Sequence, residues 1–265
     1  MASLIVMPAV LLPVVSGDSK QILAIVSFFA AGLILFEYAS DSPSLVEFRD
    51  APPFNRIRFG AMFVTVMILS AMFRNSAVPS EFGQFVTAIA MFFGYILDFP
   101  FSPVHLFRLV LHAEATGVEI SYVRAAAGIA YMVSIIVICS FSLMIRLSDW
   151  PVRRNVFNVW INLPTFDPTA GGDVVSRLKM QAMVNITLGL SLPFVLPMVV
   201  IVLIRSFGQI YLADPQTLIW MVTVWAILPA GLVMRGCALN RIAKLIAAQR
   251  QQSDAAEHDH ILQPA

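Results

Sequence analysis

The sequence predicts an all-α protein: a polytopic integral membrane helical bundle of six transmembrane helices plus interfacial helices. Two observations carry that expectation. Apolar residues make up 58% of the 265 positions and charged ones only 12%. Charged side chains also keep to the ends of six apolar stretches, residues 21–38, 59–73, 82–97, 125–145, 182–204 and 216–234. A charge at mid-bilayer costs at least ~2.5–3.5 kcal/mol, so a membrane chain excludes it. A soluble helix carries charge on its outer face, and this composition in water would leave an aggregation-prone surface.

The first apolar run, residues 4–15, is too short to span. Twelve helical residues rise about 18 Å, against a hydrocarbon core of ~30 Å. Pro8 and Pro13 interrupt the run and no Lys or Arg precedes it, so it lacks the basic start of a signal peptide. It reads as a half-inserted or interfacial lead-in. Ser16-Gly17-Asp18-Ser19 breaks it, with Asp18 or Ser19 capping the next helix.

Residues 21–38 form the first span, and a charged loop follows. Ser42 before Pro43 looks like a helix start, which Pro52-Pro53 must end. Acids and arginines alternate closely here, and we expect them to pair. Glu37, Asp41, Glu47, Arg49, Arg56 and Arg58 are candidates for a partner or ligand surface, with Asp98 and Arg124 expected on the same side.

Stretch 59–73 is short but flanked by Arg58 and Arg74, whose long stems can reach the headgroups. Stretch 82–97 needs Asp98 near the interface. Ser102, Pro103 and Gly117 then supply a cap, a first-turn proline and a closing glycine for an amphipathic interfacial helix. Its polar stripe is His105, Arg108 and His112. Histidines seven apart on a helix lie roughly 10 Å from one another, too far to share a metal unaided.

After span 125–145, a second interfacial helix is expected over 151–164, with Asn155, Asn158 and Asn162 opposite apolar residues and Trp150 and Trp160 in the headgroup belt. Gly171-Gly172 lacks the lysine of a phosphate loop, and Asp173 better serves as the cap of a long helix into span 182–204. That span holds Asn185, Ser191, Pro193 and Pro197, and span 216–234 holds Pro229. Prolines free backbone carbonyls, which transporters use to hold substrate, so these five residues are the candidate transport path. Simple kinks, with Asn185 and Ser191 as hydrogen-bond links between helices, are the reading favoured over it. Residues 1–252 read as a single membrane domain and 253–265 as a disordered polar tail.

With six spans both termini share one side. That side holds eleven cations: Lys20, Arg74, Arg146, Arg153, Arg154, Arg177, Lys179, Arg235, Arg241, Lys244 and Arg250. The other holds six: Arg49, Arg56, Arg58, Arg108, Arg124 and Arg205. The positive-inside rule then puts both termini in the cytoplasm of a cell membrane, the bacterial inner membrane being favoured.

The net charge of +1 gives no footprint for nucleic acid. Cys139 and Cys237 are isolated and read as buried thiols packing as small hydrophobes. No catalytic, cofactor-binding or metal-ligating set can be read, and no cofactor is expected. The partners expected are the lipid bilayer and a membrane protein or second copy of the chain. The expected function is that of a non-catalytic accessory, assembly or scaffold subunit. The alternatives are a transporter of an apolar or neutral small molecule or lipid, and a membrane enzyme using edge carboxylates or histidines.

Overall fold

A computed structural model describes residues 1–13, 17–41, 44–111, 115–148, 150–151, 159–167, 169, 171–207 and 214–262. Among these residues the regular structure is helical throughout. The elements are α1 (Ala2–Leu11), α2 (Gly17–Ala39), α3 (Phe54–Ala77), α4 (Glu81–Leu97), α5 (Pro103–Arg108), α6 (Gly117–Leu147), α7 (Val159–Asn162), α8 (Val174–Phe207) and α9 (Pro215–Leu262). This is a helical membrane bundle.

Local chemistry fixes the helix starts. Ser80 and Ser102 accept hydrogen bonds from the Gly83 and His105 amides and cap α4 and α5. Thr116 and Glu119 form a reciprocal capping box on α6. Asp173 accepts from Ser176 N at 2.8 Å and caps α8, as its position predicted. Asp214 does the same for α9 through Thr217 N. Each cap satisfies amides that the helix itself cannot.

The core lies in two layers. The first gathers Leu4 and Leu12, Val66 to Phe73 of α3, Val86 and Ala90 of α4, Val104 to Val110, Val123 to Ala130 of α6, and Leu218 to Ala226 of α9. The second gathers Phe48, Phe54, Phe141, Ile145, Trp150, Leu163, Phe166, Val175 to Ala182, and Met234 to Ala243. Helices α3, α6, α8 and α9 run through both layers. Two crossings are tightened by small residues, which let helices approach where lipid gives no hydrophobic drive. At one, Gly189 of α8 faces Pro229 and Val233; at the other, Gly94 of α4 lies on Gly128 of α6.

Among the described residues, five helices are long and apolar enough to cross a membrane: α2, α3, α6, α8 and α9. The expected count was six, and α4 makes the difference. It has 17 residues, and both its ends stay in the first layer. Gly83 meets Asn75 near the end of α3, and Gly94 meets Ala125 near the start of α6. The chain turns at residues 98–102, and α5 packs into the same layer.

This moves loops relative to one another. The sequence placed 37–58 and 146–179 on opposite sides, yet they are bonded together. Phe48 N donates to Asn162 O at 2.7 Å, Asp50 N to Asn162 Oδ1 at 3.0 Å, and Trp150 Nε1 to Ala51 O at 3.2 Å. One span fewer between two loops reverses their relationship.

Other expectations also shift. The interfacial helix over 102–117 is instead the six-residue α5, with Val104, Leu106 and Phe107 buried, because Thr116 and Gly117 open α6. Residues 44–53 form bends and turns; Ser42 and Pro43 lie outside the described residues. Of the helix expected over 151–164 only α7 is described. The expected tail from Ser253 continues α9 as far as Leu262. Helix α1 places Leu4 in the first layer, with Met7 packed against it; Pro8 and Ala9 are also buried.

Candidate functional site

The residues expected to form one charged surface divide between the two ends of the bundle. At the second-layer end, Glu37 closes α2 and is 3% exposed. Its carboxylate accepts from Ser44 N (3.0 Å), Ser44 Oγ (2.9 Å), Leu45 N (3.0 Å) and Val46 N (3.3 Å). Arg49 Nη1 donates to the carbonyls of Glu37 and Ser40. The turn after α2 is thereby folded onto the helix end.

Glu47 is the centre of this end. Arg235 of α9 grips it bidentately, Nε to Oε2 at 2.6 Å and Nη2 to Oε1 at 2.8 Å, and Thr165 Oγ1 adds a bond of 2.8 Å. Desolvation pushes the Glu47 carboxyl up, but the hydrogen bonds from Arg235 and Thr165 and the charges of Arg235 and Arg58 outweigh it. The net pKa is lowered. Charge-assisted, two-pronged contacts of this kind are the strong ones. Arg58 sits on the first turn of α3 with its guanidinium 5.5 Å from the Phe54 ring centroid. Asp41 and Arg56 are exposed.

An aromatic cluster seats this latch. Phe48 meets Phe54 at 4.4 Å and Trp150 at 5.8 Å, and Phe141 meets Phe54 at 5.3 Å and Trp150 at 5.6 Å. Such pairs contribute about 0.5–1.5 kcal/mol each beyond burial. They hold Phe48 at φ 54°, a left-handed conformation unusual for a bulky residue. Further out, Asp173 meets Arg250 at 2.6 Å, and that hydrogen bond is the main cause of its lowered pKa.

Asp98 and Arg124 belong to the first-layer end. Asp98, with a side chain 9% exposed, sits among two guanidinium groups and an imidazole. His105 Nδ1 is 2.8 Å from Oδ1, Arg108 Nε 3.2 Å from Oδ2, and Arg124 Nη1 3.9 Å from Oδ2. The carboxylate–arginine pair expected along the outer edge is therefore present, with His105 added. It ties the α4–α5 turn to α6. His112 lies outside the described residues.

The candidate transport path is dispersed. Pro193 and Pro229 line a cavity of about 220 Å³ between α6, α8 and α9, with Tyr131, Ser134 and Cys139. Asn185, Ser191 and Pro197 do not line it. Asn185 Nδ2 donates to Gln181 O and Ser191 Oγ to Leu188 O, so both bond their own helix rather than link two. Pro197 has no N–H for the Pro193 carbonyl. Trp225 of α9 supplies the missing donor, Nε1 to Pro193 O at 3.0 Å.

Among the described residues no cluster of three or more His, Cys, Asp or Glu has metal-holding geometry. Cys139 is exposed on the helix surface rather than buried, and Cys237 is half-buried. Sequence reasoning missed Arg235, Thr165, Asn162 and Trp225 as partners. The one signal was that Arg235 ends an apolar run; its acid lies 188 positions away. No family model, curated protein or solved structure matches the chain.

Proposed function

We propose that the chain is a non-catalytic accessory or assembly subunit of a membrane complex and that α2 is the helix through which it meets its partner. The observation behind this reading is the isolation of α2. Its apolar window is 11% buried, against 67% for α9. Among the described residues its backbone comes within 8 Å of α1 and of no other helix. It is held at its start by α1 and at its end by the Glu37 bonds. In lipid, helices associate through close packing rather than hydrophobic drive. A span left out of its own bundle forgoes that packing, and a partner helix restores it. The carboxylates at the two ends also support a structural role. Those of Glu37, Glu47 and Asp98 are committed to bonds that fasten loops and helices.

The test is photo-crosslinking in intact membranes. A crosslinking residue replacing Phe28 or Leu35, which are 76% and 71% exposed, is expected to give one discrete adduct, with a second copy or another membrane protein. At Val202 of α8, 62% exposed, it is expected to give none. Smears from all three positions, or no adduct on α2, would exclude the reading.

The same proposal includes an orientation. With α4 not crossing, the chain passes the membrane five times and its two ends lie on opposite sides. Ten cations then belong to the second-layer end by chain position: Arg49, Arg56, Arg58, Arg146, Arg177, Lys179, Arg235, Arg241, Lys244 and Arg250. Five belong to the other: Lys20, Arg74, Arg108, Arg124 and Arg205. Arg153 and Arg154 join the larger group by sequence. This is a sharper asymmetry than six spans gave, and it puts the second-layer end, with the α9 tail, in the cytoplasm. In a background without Cys139 and Cys237, an impermeant thiol reagent on whole cells is expected to label cysteine at Thr116 and not at Leu45 or Ser253. Labelling at Leu45 without Thr116 would reverse the orientation.

A further inference from the structure

We infer that the groove between α1 and α3 is a binding site for a fatty acid, with the alkyl chain in the groove and the carboxylate on Arg74. The cavity there is about 600 Å³, inside the ~300–1,000 Å³ range of small-molecule sites. Val6 and Val10 of α1 and Met67 and Ala71 of α3 form its apolar walls. Ser3, Arg74 and Ser80 supply polar groups along it.

The walls are fixed. Leu4, Leu12 and Met7 anchor α1 in the first core layer, so the groove does not depend on a loosely attached segment. Arg74, in the last turn of α3, is exposed. None of the ion pairs among the described residues uses it. Ser80 Oγ accepts from Gly83 N, which leaves its hydroxyl hydrogen to donate. The groove thus offers one guanidinium and a hydroxyl donor on an apolar wall, which matches a single anionic head on an apolar chain. A protein helix is the wrong size. Ten helical residues, ~15 Å long and ~10 Å across, fill about 1,200 Å³, twice the space present. An alkyl chain also brings no backbone polar groups to satisfy.

The experiment uses full-length protein in maltoside detergent and radiolabelled palmitate in a scintillation proximity assay. One saturable site per chain is expected, displaced by unlabelled palmitate and not by hexadecanol. Arg74→Gln is expected to weaken binding about tenfold, the loss of one charge-assisted contact. Ala71→Phe, which fills the groove, is expected to abolish it. Arg56→Gln, at the other end of α3, is expected to bind as wild type. Arg74 is exposed, so its variant keeps the wild-type gel-filtration profile and decides the matter if Ala71→Phe misfolds. Absence of saturable binding, equal displacement by hexadecanol, or wild-type affinity in Arg74→Gln would each overturn the inference. Displacement by phosphatidylglycerol at lower concentration than palmitate would replace it with a two-chain occupant. None of these outcomes bears on α2 as a partner helix.

Discussion

Gly128→Ala is expected to lower stability by about 1–3 kcal/mol, because a Cβ there meets the closest obstruction of any described glycine. A Cβ on Gly128 would stand 2.4 Å from Gly94 Cα and 2.5 Å from Gly94 N, and Gly94 is itself 2.8 Å from the Arg124 carbonyl by the same measure. Carbon atoms pack at ~3.5–4.0 Å, so α4 and α6 must part by more than an ångström. The obstruction is backbone on both sides, which no rotamer change relieves. Parting them also draws Asp98 from Arg124, since that pair bridges the same two helices. Thermal unfolding in detergent, followed by loss of the monodisperse gel-filtration peak, measures the effect. Gly60→Ala is the control: nothing lies within 4 Å of a Cβ there, and alanine suits a helix better than glycine. An equal loss in both variants would show that the crossing is not the cause.

Glu47→Gln is expected to cost about 2–3 kcal/mol. The side chains of Glu47 and Arg235 are 13% and 23% exposed, so the pair is only partly screened. Glutamine keeps the shape but removes the charge, leaving Arg235 beside Arg58 with no anion between them. Arg235→Leu in the Glu47→Gln background should recover part of the loss, because the stranded cation is then gone; additive losses would mean the two residues act separately.

The same group gives a pH dependence of definite sign. Glu47 stays ionised to lower pH in the folded chain than in the unfolded chain, whose value is the ordinary 4.5. Its contribution is therefore complete above that value and lost as pH falls through the lower, folded one. Acidification below pH 4.5 is expected to reduce the melting temperature of the wild type more than that of Glu47→Gln. Asp173, also lowered through Arg250, contributes in both proteins and so cancels in the comparison. Identical acid profiles would remove Glu47 from the account.

What the sequence determined by itself was everything that depends on near neighbours and on the solvent. The exclusion of charge from long apolar runs made the chain a helical membrane bundle. The caps at Ser102 and Asp173 were legible because a capping side chain serves amides two or three residues on. The pairing of carboxylates with arginines at the membrane edge was legible as a tendency, and Asp98 with Arg124 realises it. The tertiary structure decided which acid meets which cation. Glu47 could not be assigned to Arg235 from spacing, since the contact exists only once the loop after α2, the loop after α6 and α9 are packed together. It also decided that α4 stays in one layer. Its residues are as apolar as those of a crossing helix, and only the Gly94–Gly128 contact and the Asp98 cluster show where it stops. Apolar periodicity reports that a helix is greasy; depth is set by what it packs against, and one short helix that does not cross reverses the side of every loop before it.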